Sequence, residues 1–157
     1  MDRTDQPRAR PGATLDSPSS VSQIVLAEDN PADVGLVREA LREHDVHCEL
    51  RVISDGEAAV AFIDGLDSDV SLPCPDLLLL DLYLPKRDGR EILKHLRASE
   101  RCNRMPVVVL SSADSVRNEP AFENSGALHY FQKPISLNQY LDLGRIVKEV
   151  IGRGQSC

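Results

Sequence analysis

Near its middle the chain has a run of four leucines, residues 77–80, enclosed by Asp76 and Asp81. Four consecutive apolar residues are too few for a buried helix and have no polar alternation. Such a run is typical of a strand that is covered on both faces, as in a parallel sheet with helices on each side. The run therefore predicts a central strand of an α/β protein, with an acidic residue at its carboxyl end.

The rest of the chain repeats this pattern of short strands and amphipathic helices. Pro31 follows an Asn in a helix-starting pattern, and Val34, Val37 and Leu41 recur at helical spacing up to about His44. Further strands are predicted at residues 24–27, 47–53, 107–110 and 128–131, with helices after Ser54, after Gly89 and over residues 136–151. Five strands that alternate with helices predict a doubly wound parallel sheet with right-handed crossovers.

Composition limits the classes of function. The 157 residues include 41% hydrophobic and 27% charged residues, which suits one folded domain. The net charge of −7 argues against nucleic-acid binding, and no apolar run is long enough for a membrane span or a signal peptide. We expect a cytoplasmic protein with a disordered leader at residues 1–20, a domain at 21–152 and a tail at 153–157. Its four cysteines are widely spaced and are interpreted as reduced thiols.

Acidic and basic residues follow several of the predicted strands. Glu28 and Asp29 follow the first strand, Asp81 the third, Ser111 and Ser112 the fourth, and Lys133 the fifth. The carboxyl ends of parallel strands meet at one edge of the sheet, where sites of open α/β proteins form. Because clustered carboxylates repel and offer hard oxygen ligands, we expect Mg²⁺ or Mn²⁺ at this edge. Asp81 is the candidate nucleophile for an aspartyl phosphate, with Lys133 and a hydroxyl stabilising the phosphoryl oxygens.

These motifs, in this order, resemble the receiver domain of two-component response regulators over roughly residues 22–151. The matching features are Glu28-Asp29-Asn30, Asp81 with Pro85 and Gly89, Ser111, and Lys133-Pro134. Residues 28–34, the loop at 65–75 and residues 84–91 are similar to stand-alone regulators of phytochrome-type sensor kinases. The resemblance implies a flavodoxin-like (βα)5 fold.

The resemblance also implies roles for individual residues. Asp81 would accept a phosphoryl group from a sensor histidine kinase, and the subfamily resemblance implies a kinase of the phytochrome type. Signalling would pass to a downstream protein or phosphotransfer partner through protein contacts, since no output domain fits after residue 151. The protein would then be a phosphoacceptor switch that catalyses only its own phosphorylation and dephosphorylation. The metal ligands would be Glu28, Asp29, Asp81 and the carbonyl of Tyr83; the phosphate-binding residues would be Ser111, Ser112 and Lys133.

Three further expectations come with the resemblance. Tyr130 occupies the aromatic switch position, which couples to the hydroxyl of Ser111. The peptide bond between Lys133 and Pro134 is often cis in this family. The positions that usually help hydrolytic water are Tyr83 and Ala113 here. Because alanine offers the water nothing and the tyrosine ring is bulky, we expect slow loss of the phosphoryl group.

Two other classes of function compete with this interpretation. Phosphohydrolases of the haloacid dehalogenase type also form an aspartyl phosphate, but they carry a second Asp two residues after the nucleophile, where this chain has Tyr83. A pseudo-receiver would keep the fold and lose phosphorylation. The intact set of Glu28, Asp29, Asp81 and Lys133 argues against that class.

Two segments depart from the simplest pattern. The last predicted helix has its main apolar stripe at Leu137, Tyr140, Leu141, Gly144, Val147 and Ile151. A second apolar line of Leu143, Ile146 and Val150 predicts a homodimer face. Pro120 falls where a helix should run between the fourth and fifth strands, so that helix is expected to be short or to start late.

Overall fold

A computed structural model describes residues 21–112 and 129–155 of the chain, with side chains described through residue 152. Its five strands form one parallel sheet in the order β2-β1-β3-β4-β5. The strands are β1 (Ser22–Ala27), β2 (Cys48–Ile53), β3 (Leu77–Asp81), β4 (Val107–Ser111) and β5 (His129–Gln132). This architecture confirms the predicted doubly wound, flavodoxin-like α/β fold.

The helices cover both faces of this sheet. They are α1 (Pro31–Glu43), α2 (Gly56–Ser68), α3 (Gly89–Arg97), α4 (Leu137–Tyr140) and α5 (Asp142–Gln155). Two separate hydrophobic clusters result, one between the sheet and α2 and α3, the other between the sheet and α1, α4 and α5. Every residue of β3 and β4 is buried. The continuous apolar runs in these strands reflect burial on both faces, as the sequence predicts.

Helix caps order the turns at the carboxyl edge of the sheet. The Asn30 side chain accepts a hydrogen bond from the Ala32 amide, and Pro31 occupies the first helical position of α1. Asp88 and Glu91 form a reciprocal capping box at the start of α3. Because these caps satisfy amides that have no partner within the helix, they fix where each helix begins relative to the strand before it.

The carboxyl-terminal helical region differs from the prediction in two ways. It divides into α4 and α5 at Leu141, and α5 extends through Gln155, beyond the predicted domain boundary at residue 152. Leu143 and Val150 are core residues, with exposed fractions of 0% and 3%, so the predicted apolar line outside the core is wrong; only Ile146 remains partly exposed. The reason is close packing against α1, where a Cβ on Gly144 would lie 2.1 Å from the Ala40 carbonyl oxygen.

The interpretation of all four cysteines as reduced thiols is also corrected. Cys74 and Cys102 form a disulfide, with their Cα atoms 5.8 Å apart. They lie in the loops that precede the adjacent strands β3 and β4, so the parallel sheet brings together residues that are 28 positions apart. Their sequence spacing resembles no local motif, which is why the sequence did not indicate the pair. Cys48 is a free, half-buried thiol.

One further expectation is contradicted by the structure, and others concern residues that the structure does not describe. No peptide bond among the described residues is cis, so the bond between Lys133 and Pro134 is trans, contrary to the family tendency. The leader at residues 1–20, Ala113 and Pro120 lie outside the described residues. Within the part of the chain that is described, no helix is both long and apolar enough to span a membrane.

Candidate functional site

The first two acidic residues of the site follow β1. Glu28 is 1% exposed, and its amide donates to the Ile53 carbonyl, which extends the pairing of β1 with β2 by one residue. Its Oε2 accepts from the Asn30 amide at 3.2 Å. Asp29, by contrast, is exposed at the edge. The strand end therefore presents one buried and one accessible carboxylate.

Asp81 is the last residue of β3 and is 5% exposed. Its Oδ1 accepts a hydrogen bond from the Tyr83 amide at 2.9 Å, which orients the carboxylate toward the site. Carboxylate oxygens of Glu28, Asp29 and Asp81 all lie within 4.8 Å of one another. The structure thus brings together the three carboxylates that the sequence predicted as metal ligands.

Two glycines position the turn that follows Asp81. A Cβ on Gly89 would lie 2.7 Å from the Asp81 carbonyl oxygen, and one on Gly56 would lie 2.0 Å from the Arg87 carbonyl oxygen. The Gly56 amide donates to the Pro85 carbonyl, and the Gly89 amide donates to the Leu82 carbonyl. Because side chains at these two positions would collide with backbone, the turn can sit tightly against the start of α2.

Lys133 lies at the centre of the acidic group. Its Nζ donates to Glu28 Oε1 at 2.6 Å, to Asp81 Oδ2 at 2.8 Å and to Asp33 Oδ2 at 2.9 Å. Its own amide donates to the Ser111 carbonyl at 2.8 Å, so pairing with β4 holds the lysine in place. A single ammonium group therefore bridges β1, α1 and β3.

Asp33 was not among the site residues predicted from the sequence. This residue lies in the first turn of α1, where an acidic side chain also interacts favourably with the helix dipole. The available signal was its position: the helix after β1 must begin at the same edge of the sheet as the other site residues. An acidic residue in its first turn was thus a candidate for the cluster.

The charges perturb two pKa values. Burial raises the pKa of Glu28 from 4.5 to about 7, and the nearby Asp81 charge acts in the same direction while Lys133 opposes it. Burial alone would lower the pKa of Lys133, but its hydrogen bonds to Asp81, Glu28 and Asp33 outweigh burial and raise it. The lysine is therefore fully protonated at neutral pH. An additional cation nearby would stabilise the ionised form of Glu28.

This donor set fits a hard divalent cation. The group consists only of carboxylate oxygens, which Mg²⁺ and Mn²⁺ prefer. Three of its four carboxylates, those of Glu28, Asp33 and Asp81, share one ammonium group, so negative charge is in excess. A bound cation would offset the excess negative charge and would lower the pKa of Glu28 by stabilising its ionised form. The backbone amide of Tyr83 faces Asp81; the role of its carbonyl as a ligand stays a prediction.

The remaining predicted residues lie along β4 and β5. Ser111 ends β4 and is fully buried, while Ser112 is exposed just beyond it. Tyr130 pairs with Val109 across the β4–β5 ladder and packs against the cluster on the α2–α3 face. The backbone thus places the hydroxyl of Ser111 next to the strand that carries Asp81. The predicted phosphate-binding and switching roles of these residues stay predictions.

Comparisons with known proteins agree with this geometry. Residues 24–143 match the response regulator receiver domain family. The chain is 39% identical over 127 residues to the response regulator Rcp1 of Synechocystis sp., covering 81% of this chain and 80% of Rcp1.

Solved structures show the same relationship. The phosphorylated cyanobacterial phytochrome response regulator RcpA superposes with a TM-score of 0.74 at 32% identity, covering 87% of this chain and 97% of RcpA. The Mn²⁺-bound form of Rcp1 superposes with a TM-score of 0.70 at 34% identity, covering 82% of this chain and 92% of that one. The chain belongs to the response regulator receiver domain family of two-component signalling proteins.

Proposed function

We propose that this protein is a single-domain response regulator that accepts a phosphoryl group on Asp81 from the phosphohistidine of a sensor kinase. The observation that carries the proposal is the convergence of Lys133 Nζ on Asp81, Glu28 and Asp33 beside a three-carboxylate cluster. Asp81 is the residue of this cluster that lies at the end of the central strand, β3. Its neighbours supply the positive charge and the cation ligands that phosphoryl transfer needs.

In the proposed reaction, an Asp81 carboxylate oxygen forms a bond to phosphorus as the bond between phosphorus and the histidine nitrogen breaks. The imidazole keeps the electron pair of that bond. Lys133 is already 2.8 Å from Asp81 Oδ2, so its ammonium group needs only a local shift to donate to a phosphoryl oxygen. A Mg²⁺ or Mn²⁺ ion held by Glu28, Asp29 and Asp81 would neutralise charge on the phosphoryl oxygens.

Ser111 and Ser112 complete the proposal. The Ser111 hydroxyl, at the end of β4, would bind a second phosphoryl oxygen with the help of the Ser112 amide. The phosphoryl group carries a charge of roughly −1.5 to −2 in place of the single negative charge of the Asp81 carboxylate, and this favours movement of the Ser111 hydroxyl toward the phosphoryl group. Tyr130, half-buried on β5, would then move inward and alter the surface that partners contact.

The relatives support the proposed partners. Both Rcp1 and RcpA are response regulators, and RcpA is described as a phytochrome response regulator, which supports a phytochrome-type histidine kinase as the donor. We propose a cytoplasmic location, since kinase phosphohistidines are made from ATP there. The protein would act as a switch that processes only its own phosphate and signals by protein contacts. A homodimer stays a prediction, now without an exposed line of Leu143, Ile146 and Val150 to support it.

The test is phosphorylation by a small-molecule donor. The purified full chain is incubated with acetyl phosphate and Mg²⁺, and its intact mass is measured. We expect one added phosphoryl group, no addition when EDTA removes the metal, and transfer from a phytochrome-type kinase with the same stoichiometry. A chain that remains unmodified with both donors in the presence of Mg²⁺ would contradict the proposed function.

A further inference from the structure

The loop between α2 and β3, residues 69–76, is held at the edge of the sheet opposite the carboxylate cluster. The Arg101 side chain donates to three backbone carbonyls at the end of α2 and in this loop. They belong to Leu66, to Asp69 at 3.1 Å and to Leu72 at 2.8 Å. The guanidinium of Arg101 thus connects the loop before β4 to the end of α2 and to the first half of the loop at residues 69–76. This attachment does not involve sulfur.

A second set of contacts fixes the position of Cys102. Asp67, near the end of α2, accepts from the Ser99 hydroxyl at 2.6 Å and from the Arg101 amide at 3.2 Å. The Ser99 hydroxyl in turn accepts from the Cys102 amide at 2.9 Å. Because Ser99 and Cys102 are both buried, these bonds hold the Cys102 backbone rigidly beside α2.

Cys74 lies in the loop that these contacts hold in place. Its Cα is 5.8 Å from that of Cys102, and its side chain is half-buried, whereas Cys102 is 2% exposed. We propose that this pair is a reversible thiol–disulfide site, a redox staple between the loops before β3 and β4. The non-covalent contacts of Arg101 and Asp67 keep the two thiols adjacent when the bond is reduced, so it can form again without refolding.

The oxidant in this proposal is a small disulfide such as glutathione disulfide. The Cys74 thiolate, the more accessible of the two, attacks one sulfur and releases one glutathione thiol. The Cys102 thiolate then attacks the Cys74 sulfur and releases the second glutathione thiol. The two protons lost by the cysteines end on the two glutathione molecules, and two electrons pass to them.

The staple acts on stability and leaves the phosphorylation chemistry alone. The closed loop between Cys74 and Cys102 contains β3, the Asp81 turn and α3, so oxidation restricts the unfolded chain around the phosphoacceptor. Asp81 is nevertheless at the far end of β3, about 13 Å from the strand's start at ~3.3 Å per residue. The redox state should therefore change the melting temperature without changing the transfer of phosphate.

The experiment compares the full chain in two glutathione buffers, one dominated by the disulfide and one by the thiol. After free thiols are alkylated, digestion and mass spectrometry should find a linked peptide pair containing Cys74 and Cys102 only in the oxidised sample. The oxidised protein should melt roughly 5–15 °C higher than the reduced protein. Phosphate uptake from acetyl phosphate should agree within about twofold between the two samples, as a site remote from the reacting groups requires.

Two variants sharpen this test. Cys74→Ser should melt like the reduced wild type in both buffers, whereas the control Cys48→Ser, which alters an unpaired thiol, should keep the full redox difference. The reduced wild type provides a comparison without any substitution, should Cys74→Ser fold poorly. Absence of the linked peptides in the disulfide buffer, or equal melting temperatures with the bond formed, would overturn the staple. Either result leaves the phosphoacceptor proposal unaffected.

Discussion

The Nζ of Lys133 lies 2.9 Å from Asp33 Oδ2, although the two residues are 100 positions apart in the sequence. Asp33 makes the lysine a three-way bridge, since Glu28 and Asp81 accept from the same ammonium group. The bridge offsets the repulsion of carboxylates that are forced together by the sheet. It also means that Lys133 must give up bonds to carboxylates when it binds a phosphoryl oxygen.

Replacing Lys133 by methionine should therefore destabilise the metal-free protein, and Mg²⁺ should restore more stability to the variant than to the wild type. Removing one partner of a buried charged group costs about 3–5 kcal/mol, because the remaining charges are left unpaired. A divalent cation supplies the missing positive charge. The measurement is thermal unfolding with and without Mg²⁺, with Lys94→Met, at an exposed position on α3, as the control. Equal Mg²⁺ stabilisation of Lys133→Met and wild type would contradict this account.

Mg²⁺ affinity should distinguish the roles of Asp29 and Asp33. Asp29 belongs to the cluster of three carboxylates within 4.8 Å, whereas Asp33 contacts the lysine. Loss of a direct ligand should weaken Mg²⁺ binding by about tenfold or more. This loss should exceed that caused by removing a residue that contacts only another residue of the site. Asp33→Asn should have a smaller effect. Calorimetric titration of Asp29→Ala and Asp33→Asn decides this, and an unchanged affinity in Asp29→Ala would remove Asp29 from the metal site.

The strand ends show how much a sequence of this class reveals. The run at residues 77–80 predicted a doubly covered central strand, and the topology of parallel sheets then required Glu28, Asp29, Asp81 and Lys133 to meet. Those inferences rest on periodicity and connectivity, which are local or general. Three other features depend on how particular helices and loops pack. They are the contact of Asp33 with Lys133, the pairing of Cys74 with Cys102, and the burial of Leu143. No periodicity records such tertiary distances, so these three features emerged only from the structure.

Tyr140 offers a test of the core beside the site. Its hydroxyl is buried and, among the described residues, has no hydrogen-bond partner, and burial raises its pKa. Its ring packs edge-on against Phe131 at a centroid distance of 5.7 Å. Tyr140→Phe removes the unsatisfied group and keeps the ring, so the melting temperature should stay the same or rise. Tyr140→Ala should lower stability by about 3–5 kcal/mol. A clear loss of stability in Tyr140→Phe would indicate that the hydroxyl has a partner.

Tyr83 should slow the loss of the phosphoryl group. The residue is 51% exposed, two positions after Asp81, and the Arg90 guanidinium carbon lies 6.0 Å from the centre of its ring. A bulky ring there would shield the acyl phosphate, whereas an amide could orient an attacking water molecule. The phosphorylated Tyr83→Asn variant should thus lose phosphate faster than wild type when the decay of the phosphorylated mass is followed. Arg90→Lys is a matched control, and an unchanged decay in Tyr83→Asn would show that this position does not limit hydrolysis.

The proposed function depends on Asp81 being the phosphoacceptor. To test this, wild type and Asp81→Asn are incubated with acetyl phosphate and Mg²⁺, and the phosphate is located by intact mass and peptide mapping. Because Asn has nearly the shape of Asp, the variant should fold, and its melting curve is measured to check this. We predict one phosphoryl group on Asp81 in the wild type and none on Asp81→Asn. Phosphate incorporation by the folded variant at the wild-type level would contradict the assignment of Asp81.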